Sequence, residues 1–496
     1  MGKKLTISLV LSLIGFLAYG QAGWIDYNRT YYKIPTAIDG VHRINFAALS
    51  SAGINPNTLD PRNIRMYHRG EEVAIHVEGE QDGKFDVNDF IDFYGKRNDG
   101  TLDSKLFRNP SHVGNKMYNQ HNDTTAFFLT ITPGVNGKRM AARGSSLEND
   151  PVVDNYQTEK LTVFSDQYNL GMVYFPGVRL AEFEQGQGWM SPPVTKASPR
   201  TVPFTSLGEI SNTGQAKLEI GLTGRSENPH VTVVSVGATI GSLREVARYE
   251  YRNYEVLDEE IQIDLTDFNP QGSISVRVSS VGPENVDNIS VAYVRITYPR
   301  KVSNGDIDSE IFMIDQGEST IQMDNMLSNY VAYEITDPAN PIRIPVEKTG
   351  NRVRFKAGVG SGNSKVWFEN RLNIKEVTGI QSVRFRNLLN IPADYLILTH
   401  RNLRRQSNIH PDPVKAYAEY RASNDGGAYD TLSINIDELY DQFSFGEKTP
   451  LGIYDFLKEY YPRHRPEYLF LIGRAMGMYS TTRLNNVTYF YRHNPS

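Results

Sequence analysis

Three polar residues near the C-terminus follow predicted strands and are candidates for a reactive cleft: His400, Asp437 and Arg474. In open parallel sheets, ligands bind outside the carboxyl ends of the strands. A histidine and an aspartate at such an edge could act as a base and the group that orients it. The alternative, which we favour, is that they are ordinary loop residues and that Asp437 caps a short helix over 438–443.

No residue of the sequence can be assigned as a catalytic nucleophile. The sequence has no cysteine, which excludes a thiolate nucleophile, thiolate metal sites and disulfides within these residues. It also has no Gly-x-Ser-x-Gly elbow, no P-loop and no complete dinucleotide fingerprint. The formal net charge is −5, with no long basic block, so the charge pattern argues against nucleic acid as a partner. We therefore assign no catalytic residue and no required cofactor.

An acidic segment near residue 80 has the spacing of a calcium loop. Its possible metal ligands are Glu78, Glu80, Asp82, Asp86 and Asp89. Gly83 stands between them where calcium loops turn sharply. Glutamates at the start of the loop and an aspartate at its end depart from the usual residue types. The segment is either a calcium site or a solvated acidic turn, and we favour the turn.

The sequence from residue 389 onwards has the pattern of an α/β domain. Continuous apolar runs predict buried parallel strands over 395–398 and 468–472, and Leu432, Ile434 and Ile436 predict another strand between them. Asp412-Pro413 and Thr449-Pro450 predict the starts of two intervening helices. Alternation of strands and helices is typical of a parallel sheet. Three strands make a thin core, so we expect the domain to continue beyond residue 496.

The sequence before residue 389 is predominantly β. Alternating apolar residues such as Leu218, Ile220 and Leu222 predict antiparallel strands packed on one side, as in a β-sandwich. The run 291–296 is apolar on both faces and predicts a central strand. The predicted division is a signal peptide (1–20), an N-terminal β domain (21–150), a β-sandwich domain (151–302), a small β domain (303–388) and an incomplete α/β domain (389–496). The predicted fold class is multi-domain and mostly β, with β-sandwich domains, followed by the start of an α/β parallel-sheet domain.

The N-terminus has the pattern of a secretory signal peptide. Two lysines at positions 3 and 4 precede an apolar run over 5–17, and Ala18-Tyr19-Gly20 forms a small-residue cleavage site. The alternative is a membrane anchor, but the run is shorter than the ~20 apolar residues that span a bilayer. We expect cleavage after residue 20 and no transmembrane helix in the mature chain. The expected location is the cell surface or the extracellular medium, with the periplasm as the alternative.

Four stretches of the C-terminal segment resemble the catalytic domain of the gingipain family of cysteine peptidases. They are ADYLILTH (393–400), VKAYAEYR (414–421), IDELYDQFSFGE (436–447) and YLFLIG (468–473), of which the third is the most specific. The preceding β region, including Tyr298-Pro299-Arg300, looks like that of type IX secretion sortase-like members of the family. The resemblance implies a caspase-like fold. It also implies a thiolate nucleophile and a histidine base, both downstream of 469–472.

The sequence departs from this family at the catalytic positions. It has no cysteine, its only later histidine is His493, without the expected glycine context, and Arg474 stands where an aspartate is often found. The resemblance implies proteolysis, with protein substrates and type IX secretion components as partners. The preferred interpretation is the N-terminal portion of a secreted gingipain-like cysteine endopeptidase, inactive as these 496 residues alone. The alternative is a non-catalytic cell-surface protein whose β modules bind partners or have a structural role.

Overall fold

The computed structural model describes residues 23–144, 151–174, 182–314, 317–358 and 363–473. The predicted signal peptide (1–20), Arg474 and His493 lie outside the described residues. Antiparallel strands dominate the chain before residue 389, and a small parallel sheet with helices follows. The predicted fold class is therefore confirmed.

The elements are numbered here in chain order. The first region contains β1 (Thr30–Thr36), β2 (Gly40–Asn45), α1 (Phe46–Ser51), β3 (Ile64–His68), β4 (Glu71–Val73), β5 (His76–Val77), β6 (Phe90–Gly95), β7 (Thr125–Ile131) and β8 (Ala141–Ala142). The next contains β9 (Asn155–Val163), β10 (Gln167–Asn169), β11 (Gly188–Met190), β12 (Arg200–Phe204), β13 (Ala216–Gly224), β14 (Pro229–Gly237), β15 (Arg244–Arg252), β16 (Val256–Ile263), β17 (Ile274–Ser280), β18 (Ile289–Lys301) and β19 (Ser309–Ile314). The third contains β20 (Ser319–Met323), β21 (Tyr330–Glu334), β22 (Ile342–Ile344), β23 (Val346–Thr349), β24 (Arg352–Ala357), β25 (Ser364–Asn370), β26 (Lys375–Glu376) and β27 (Gln381–Arg384). The C-terminal segment contains β28 (Tyr395–Thr399), α2 (Pro413–Ala422), β29 (Thr431–Asn435), α3 (Ile436–Phe443), α4 (Leu451–His464) and β30 (Tyr468–Ile472).

Two small sheets form an N-terminal β unit. One has the strand order β27-β1-β7-β3-β4 and the other has the order β26-β2-β6-β5. Both sheets contribute to one apolar core, which includes Ile34, Ile44, Met66 and Leu129. Because β26 and β27 come from residues 375–384, the chain returns to this unit just before the α/β segment begins.

The middle of the chain forms a β-sandwich. Nine strands have the order β16-β13-β18-β9-β19-β25-β21-β22-β8, and four others have the order β12-β17-β14-β15. Leu218, Ile220 and Leu222 are fully buried in a core to which both sheets contribute, as their alternation predicted. Residues 291–294 of β18 are buried on both faces, and β18 lies between β13 and β9. The predicted central strand is therefore confirmed.

Hydrogen-bonded sheets cross the predicted domain boundaries. β9 pairs with β19 inside the nine-stranded sheet, although the predicted boundary at residue 302 separates them. β26 and β27 belong to the predicted 303–388 domain but complete the sheets of the N-terminal unit. Strands pair through main-chain groups that every residue carries, so local sequence patterns do not reveal which distant strand joins a sheet edge. Near residue 389, by contrast, the pairing changes from mainly antiparallel to a fully parallel sheet.

The C-terminal segment is a three-stranded parallel sheet with the order β29-β28-β30. Leu396 of the central strand lies opposite Leu432 on one side and Leu469 on the other. Asp412 caps α2 by accepting a hydrogen bond from the backbone N–H of Lys415 at 3.0 Å. This is the strand and helix order that the sequence predicts. Within the described residues, no helix has the length and apolar content that a membrane crossing requires.

Helices α3 and α4 hold the parallel sheet against the N-terminal unit. Their shared core contains Tyr31 and Phe128 from that unit and Leu439, Phe443 and Phe456 from the helices. The edge strand β30 is different, because the side chains of residues 468–471 are 40–57% exposed. The N-terminal unit therefore covers one side of the α/β segment and leaves β30 open.

Candidate functional site

The carboxyl edge of the parallel sheet brings His400 and Asp437 to the same side of the α/β segment. β28 and β29 end in register, with Thr399 opposite Asn435. His400 Nδ1 accepts a hydrogen bond from the backbone N–H of Asn402 at 3.2 Å. Burial lowers the pKa of His400, and the charge of Asp437 acts in the opposite direction. The two side chains interact electrostatically, but the described residues include no hydrogen bond between them.

Asp437 faces a basic side chain and does not cap its helix. Its Oδ2 lies 3.8 Å from Nε of Arg401. Helix α3 begins at Ile436, and Asn435 is its N-cap, in a capping box with Glu438. Glu438 Oε1 accepts the hydrogen bond from the backbone N–H of Asn435 at 3.1 Å. The predicted capping role of Asp437 is therefore wrong. The helix starts earlier than predicted, and the side chains of Asn435 and Glu438 each accept a hydrogen bond from the backbone N–H of the other residue at its N-terminus.

The loop that follows His400 is fixed by an arginine. Arg404 donates to Oδ1 of Asn435 at 3.1 Å and to Oδ2 of Asp412 at 3.1 Å. It thereby connects the N-cap of α2 to the end of β29. The position of the loop at the carboxyl edge is consequently set by side-chain contacts on both of its sides.

A cleft of about 190 Å³ lies between α3 and the last strand of the N-terminal unit. Its lining residues are Val383, Arg384, Phe385, Arg401, Asn435, Asp437, Glu438, Asp441 and Gln442. Glu438, Asp441 and Gln442 are three and four residues apart, so they lie on one face of α3. Of the predicted site residues, Asp437 lines this cleft and His400 does not.

Two ion pairs with buried carboxylates join the region of α3 to the N-terminal unit. Lys33 donates to Asp441, and burial raises the pKa of this carboxyl group against the effect of Lys33. Arg69 Nε donates to Oε1 of Glu447 at 2.7 Å, and the Glu447 side chain is fully buried. The Thr125 hydroxyl also donates to Glu447, at 3.2 Å. Burial raises the pKa of Glu447, opposed by the charge of Arg69.

Sequence reasoning missed Asp441, Gln442 and Glu447 as site residues. All three lie in the stretch 436–447, which is also the most specific part of the gingipain resemblance, and that signal could have found them. Their basic partners could not have been found in the same way. Lys33 and Arg69 are 408 and 378 residues away in the sequence from the carboxylates they bind.

The predicted calcium ligands lie around a short turn. They are Glu78, Glu80, Asp82, Asp86 and Asp89. Glu80 is paired with Arg139 at 2.8 Å, and Glu78 contacts the His76 ring at 3.0 Å. The carboxylates of Asp82 and Asp89 accept hydrogen bonds from backbone N–H groups of the turn itself. Across the described residues, no three acidic or histidine side chains converge as metal ligands would. Calcium binding stays a prediction.

The α/β segment coincides with the match to a known protein family. Residues 389–492 match the model of peptidase family C25. This range begins where the pairing changes to a parallel sheet and contains all four stretches that carry the resemblance. The match of this segment to peptidase family C25, the gingipain-type cysteine peptidases, confirms the resemblance that the sequence predicts.

The fold of the chain is similar to that of a larger solved protein. The match is to the crystal structure of dimeric latent PorU from Porphyromonas gingivalis, with a TM-score of 0.58 and 12% identity. It covers 90% of this chain and 41% of that chain, so this chain spans about two fifths of the PorU chain. At this identity the likeness shows a shared β-rich, multi-domain fold.

A second solved structure matches only part of this chain. The CBM36-1 domain of a multidomain xylanase from the hindgut metagenome of Trinervitermes trinervoides matches with a TM-score of 0.17 and 10% identity. That match covers 28% of this chain and 95% of that domain, and a TM-score of 0.17 does not establish a common fold. No curated protein matches this chain.

Proposed function

We propose that this chain is the front portion of an exported cysteine endopeptidase of the gingipain type, which acts on proteins delivered by type IX secretion. The observation that carries the proposal is the match of residues 389–492 to peptidase family C25. The same residues contain the parallel sheet β29-β28-β30. The likeness in fold to latent PorU over 90% of this chain supports the sortase-like part of the proposal.

The proposed reaction is hydrolysis of a peptide bond through a covalent acyl-enzyme. A thiolate attacks the carbonyl carbon, a histidine gives its proton to the leaving amine, and water then releases the acyl group. These 496 residues contain no cysteine, so in this proposal the thiolate comes from sequence downstream of them. The residues present supply the start of the sheet and the β units that pack against it.

The test compares two lengths of the protein on peptide reporters that contain arginine or lysine. The 496-residue chain should hydrolyse none of them, because it has no cysteine. A serine cannot take the place of the cysteine, since it is a weak nucleophile without a positioned base. A version extended to the next in-frame stop should show thiol-dependent turnover. The matched control is the extended version with its nucleophilic cysteine replaced by alanine. Turnover by the short chain, free of contaminating protease, would overturn the proposal.

The same experiment separates the enzyme from its rival. An extended version without cysteine, or without activity on any reporter, favours a non-catalytic cell-surface protein whose β modules bind partners.

Export is tested on the N-terminus of the mature protein. Because Ala18-Tyr19-Gly20 has the pattern of a cleavage site, mass spectrometry of the exported protein should find Gln21 as the first residue. Residues 1–20 still attached to the exported protein would contradict cleavage.

A further inference from the structure

The cleft beside α3 has features of a binding site that the proposed peptidase reaction does not use. Its volume is about 190 Å³. This is room for about six water molecules at ~30 Å³ each, so the cleft admits a group of the size of an amino-acid residue. One wall is β27 with the following Phe385, and the other wall is the face of α3 that carries Gln442.

Gln442 gives the strongest indication of a ligand. It lines the cleft, its side chain is fully buried, and neither Oε1 nor Nε2 has a hydrogen-bond partner among the described residues. Buried polar side chains are nearly always hydrogen-bonded. A carboxamide presents both an acceptor and donors. A peptide unit, with one C=O and one N–H, can satisfy both sides of it.

The strand on the opposite wall can also bind main-chain groups. β27 lies at the edge of its sheet and, within the described residues, pairs with β1 and no other strand. Val383 and Arg384 belong to β27 and line the cleft. An edge strand presents unpaired N–H and C=O groups, to which extended peptides bind by adding a strand. Both walls therefore suit the same class of ligand, an extended peptide.

The charges around the cleft favour an acidic side chain on that peptide. The three carboxylates that line the cleft each face a basic side chain. Arg384 is exposed at the rim and forms no ion pair with another described residue. A guanidinium group binds a carboxylate through paired hydrogen bonds. An acidic residue next to the bound peptide unit would therefore place its carboxylate against the Arg384 guanidinium.

We propose that an extended peptide with an acidic side chain binds along β27, where Gln442 pairs with one of its main-chain amides and Arg384 faces its carboxylate. The cleft lies at the β29 end of the parallel sheet, on the other side of the central β28 from the open strand β30. Peptide binding there needs no nucleophile. The site is therefore testable in the full chain whether or not the peptidase proposal holds.

The experiment measures binding of two blocked tripeptides to the full chain by ligand-detected NMR. The peptides are N-acetyl-Ala-Asp-Ala-amide and N-acetyl-Ala-Lys-Ala-amide. The aspartate peptide should bind saturably and more tightly than the lysine peptide. A crystal soaked with the aspartate peptide should show it along β27. Absence of saturable binding, or a peptide seated elsewhere in the crystal, would overturn the proposal.

Variants assign the binding to the named side chains. Gln442→Leu should weaken binding of the aspartate peptide by at least about ten-fold, because the variant cannot form the paired hydrogen bonds with the peptide unit. Gln262→Leu, an exposed glutamine on the edge strand β16, is the matched control and should bind as the wild type does. Arg384→Ala should abolish the preference for aspartate over lysine, and Arg384→Lys should keep it.

The glutamine variant should remain folded, because the amide that it removes has no partner within the described residues. Its melting curve checks this, and Gln442→Met replaces it should the leucine variant not fold. Equal binding by a folded Gln442 variant and the wild type means that water satisfies the amide, which refutes the proposal. An unchanged aspartate preference in Arg384→Ala refutes it as well.

Discussion

Replacement of Arg69 by alanine tests how strongly the N-terminal unit holds the α/β segment. Arg69 lies 2.7 Å from the fully buried carboxylate of Glu447 and 3.3 Å from Asp99. Removal of one partner of a buried ion pair costs about 3–5 kcal/mol, because the other charge stays buried without compensation. An exposed pair contributes only about 0–1 kcal/mol. We expect Arg69→Ala to lower the free energy of unfolding by about 3–5 kcal/mol near neutral pH.

The pH dependence of this loss gives a second signature. Burial raises the pKa of Glu447 above its ordinary value of 4.5. The folded protein therefore binds this proton more tightly than the unfolded chain does. The resulting stabilisation is fully present below pH 4.5 and is lost as the pH rises through the folded-state pKa. Removal of the Arg69 charge makes Glu447 easier to protonate, and a protonated Glu447 needs no cationic partner. The loss of stability caused by Arg69→Ala should therefore become smaller as the pH falls.

The assay is urea unfolding followed by tryptophan fluorescence. Trp24 reports on this interface, because its ring centroid lies 5.1 Å from that of Phe128 and 5.6 Å from that of Phe385. The matched background is Glu447→Gln, which keeps the shape and removes the charge. In that background Arg69→Ala should lower the free energy of unfolding by less than in the wild type, and the difference, which is the coupling energy, should be about 1–3 kcal/mol. A loss below about 1 kcal/mol in the wild type, or an equal loss in both backgrounds, would refute the reasoning.

Three further changes test other parts of the chain. Gly446→Ala should lower the free energy of unfolding by about 1–3 kcal/mol, because Gly446 has a φ of +81° and a new Cβ would lie 2.6 Å from that of Ala126; an unchanged melting temperature would contradict this. Burial acts to raise the pKa of Asp287, but its hydrogen bond with His230 and others hold that pKa below 3.8. The stabilisation that ionised Asp287 provides is present above pH 3.8 and is lost as the pH falls through its folded-state pKa. In thermal melts, Asp287→Asn should therefore be less stable than the wild type at neutral pH, and its stability should fall less on acidification. Millimolar calcium should raise the melting temperature if the acidic loop binds with a Kd of ~10⁻⁴–10⁻³ M; Asp82→Ala should abolish the response, and an unresponsive wild type would end the calcium hypothesis.

Local sequence patterns predicted the elements that carry the site. The apolar run at 395–398 became the central parallel strand β28, and Asp412-Pro413 began α2 as expected. These predictions succeed because side-chain periodicity and capping act within a few residues. The same locality explains the error at Asp437. Asn435 and Asp437 are both residues that can cap a helix, and the packing of the helix decides which of them does.

The sequence by itself determined the C25-type segment, the β character of the rest, and the absence of a cysteine within these residues. Only the tertiary structure decided how the parts meet. The return of β27 to β1, and the contact of Lys33 with Asp441, join residues that lie hundreds of positions apart. The edge of a strand can pair with any main chain, and a carboxylate can pair with any nearby cation. A local sequence pattern therefore predicts neither the strand that pairs with β27 nor the cation that pairs with Asp441. The cleft beside Gln442, whose amide has no partner within the described residues, lies between parts of the chain that only these distant contacts bring together.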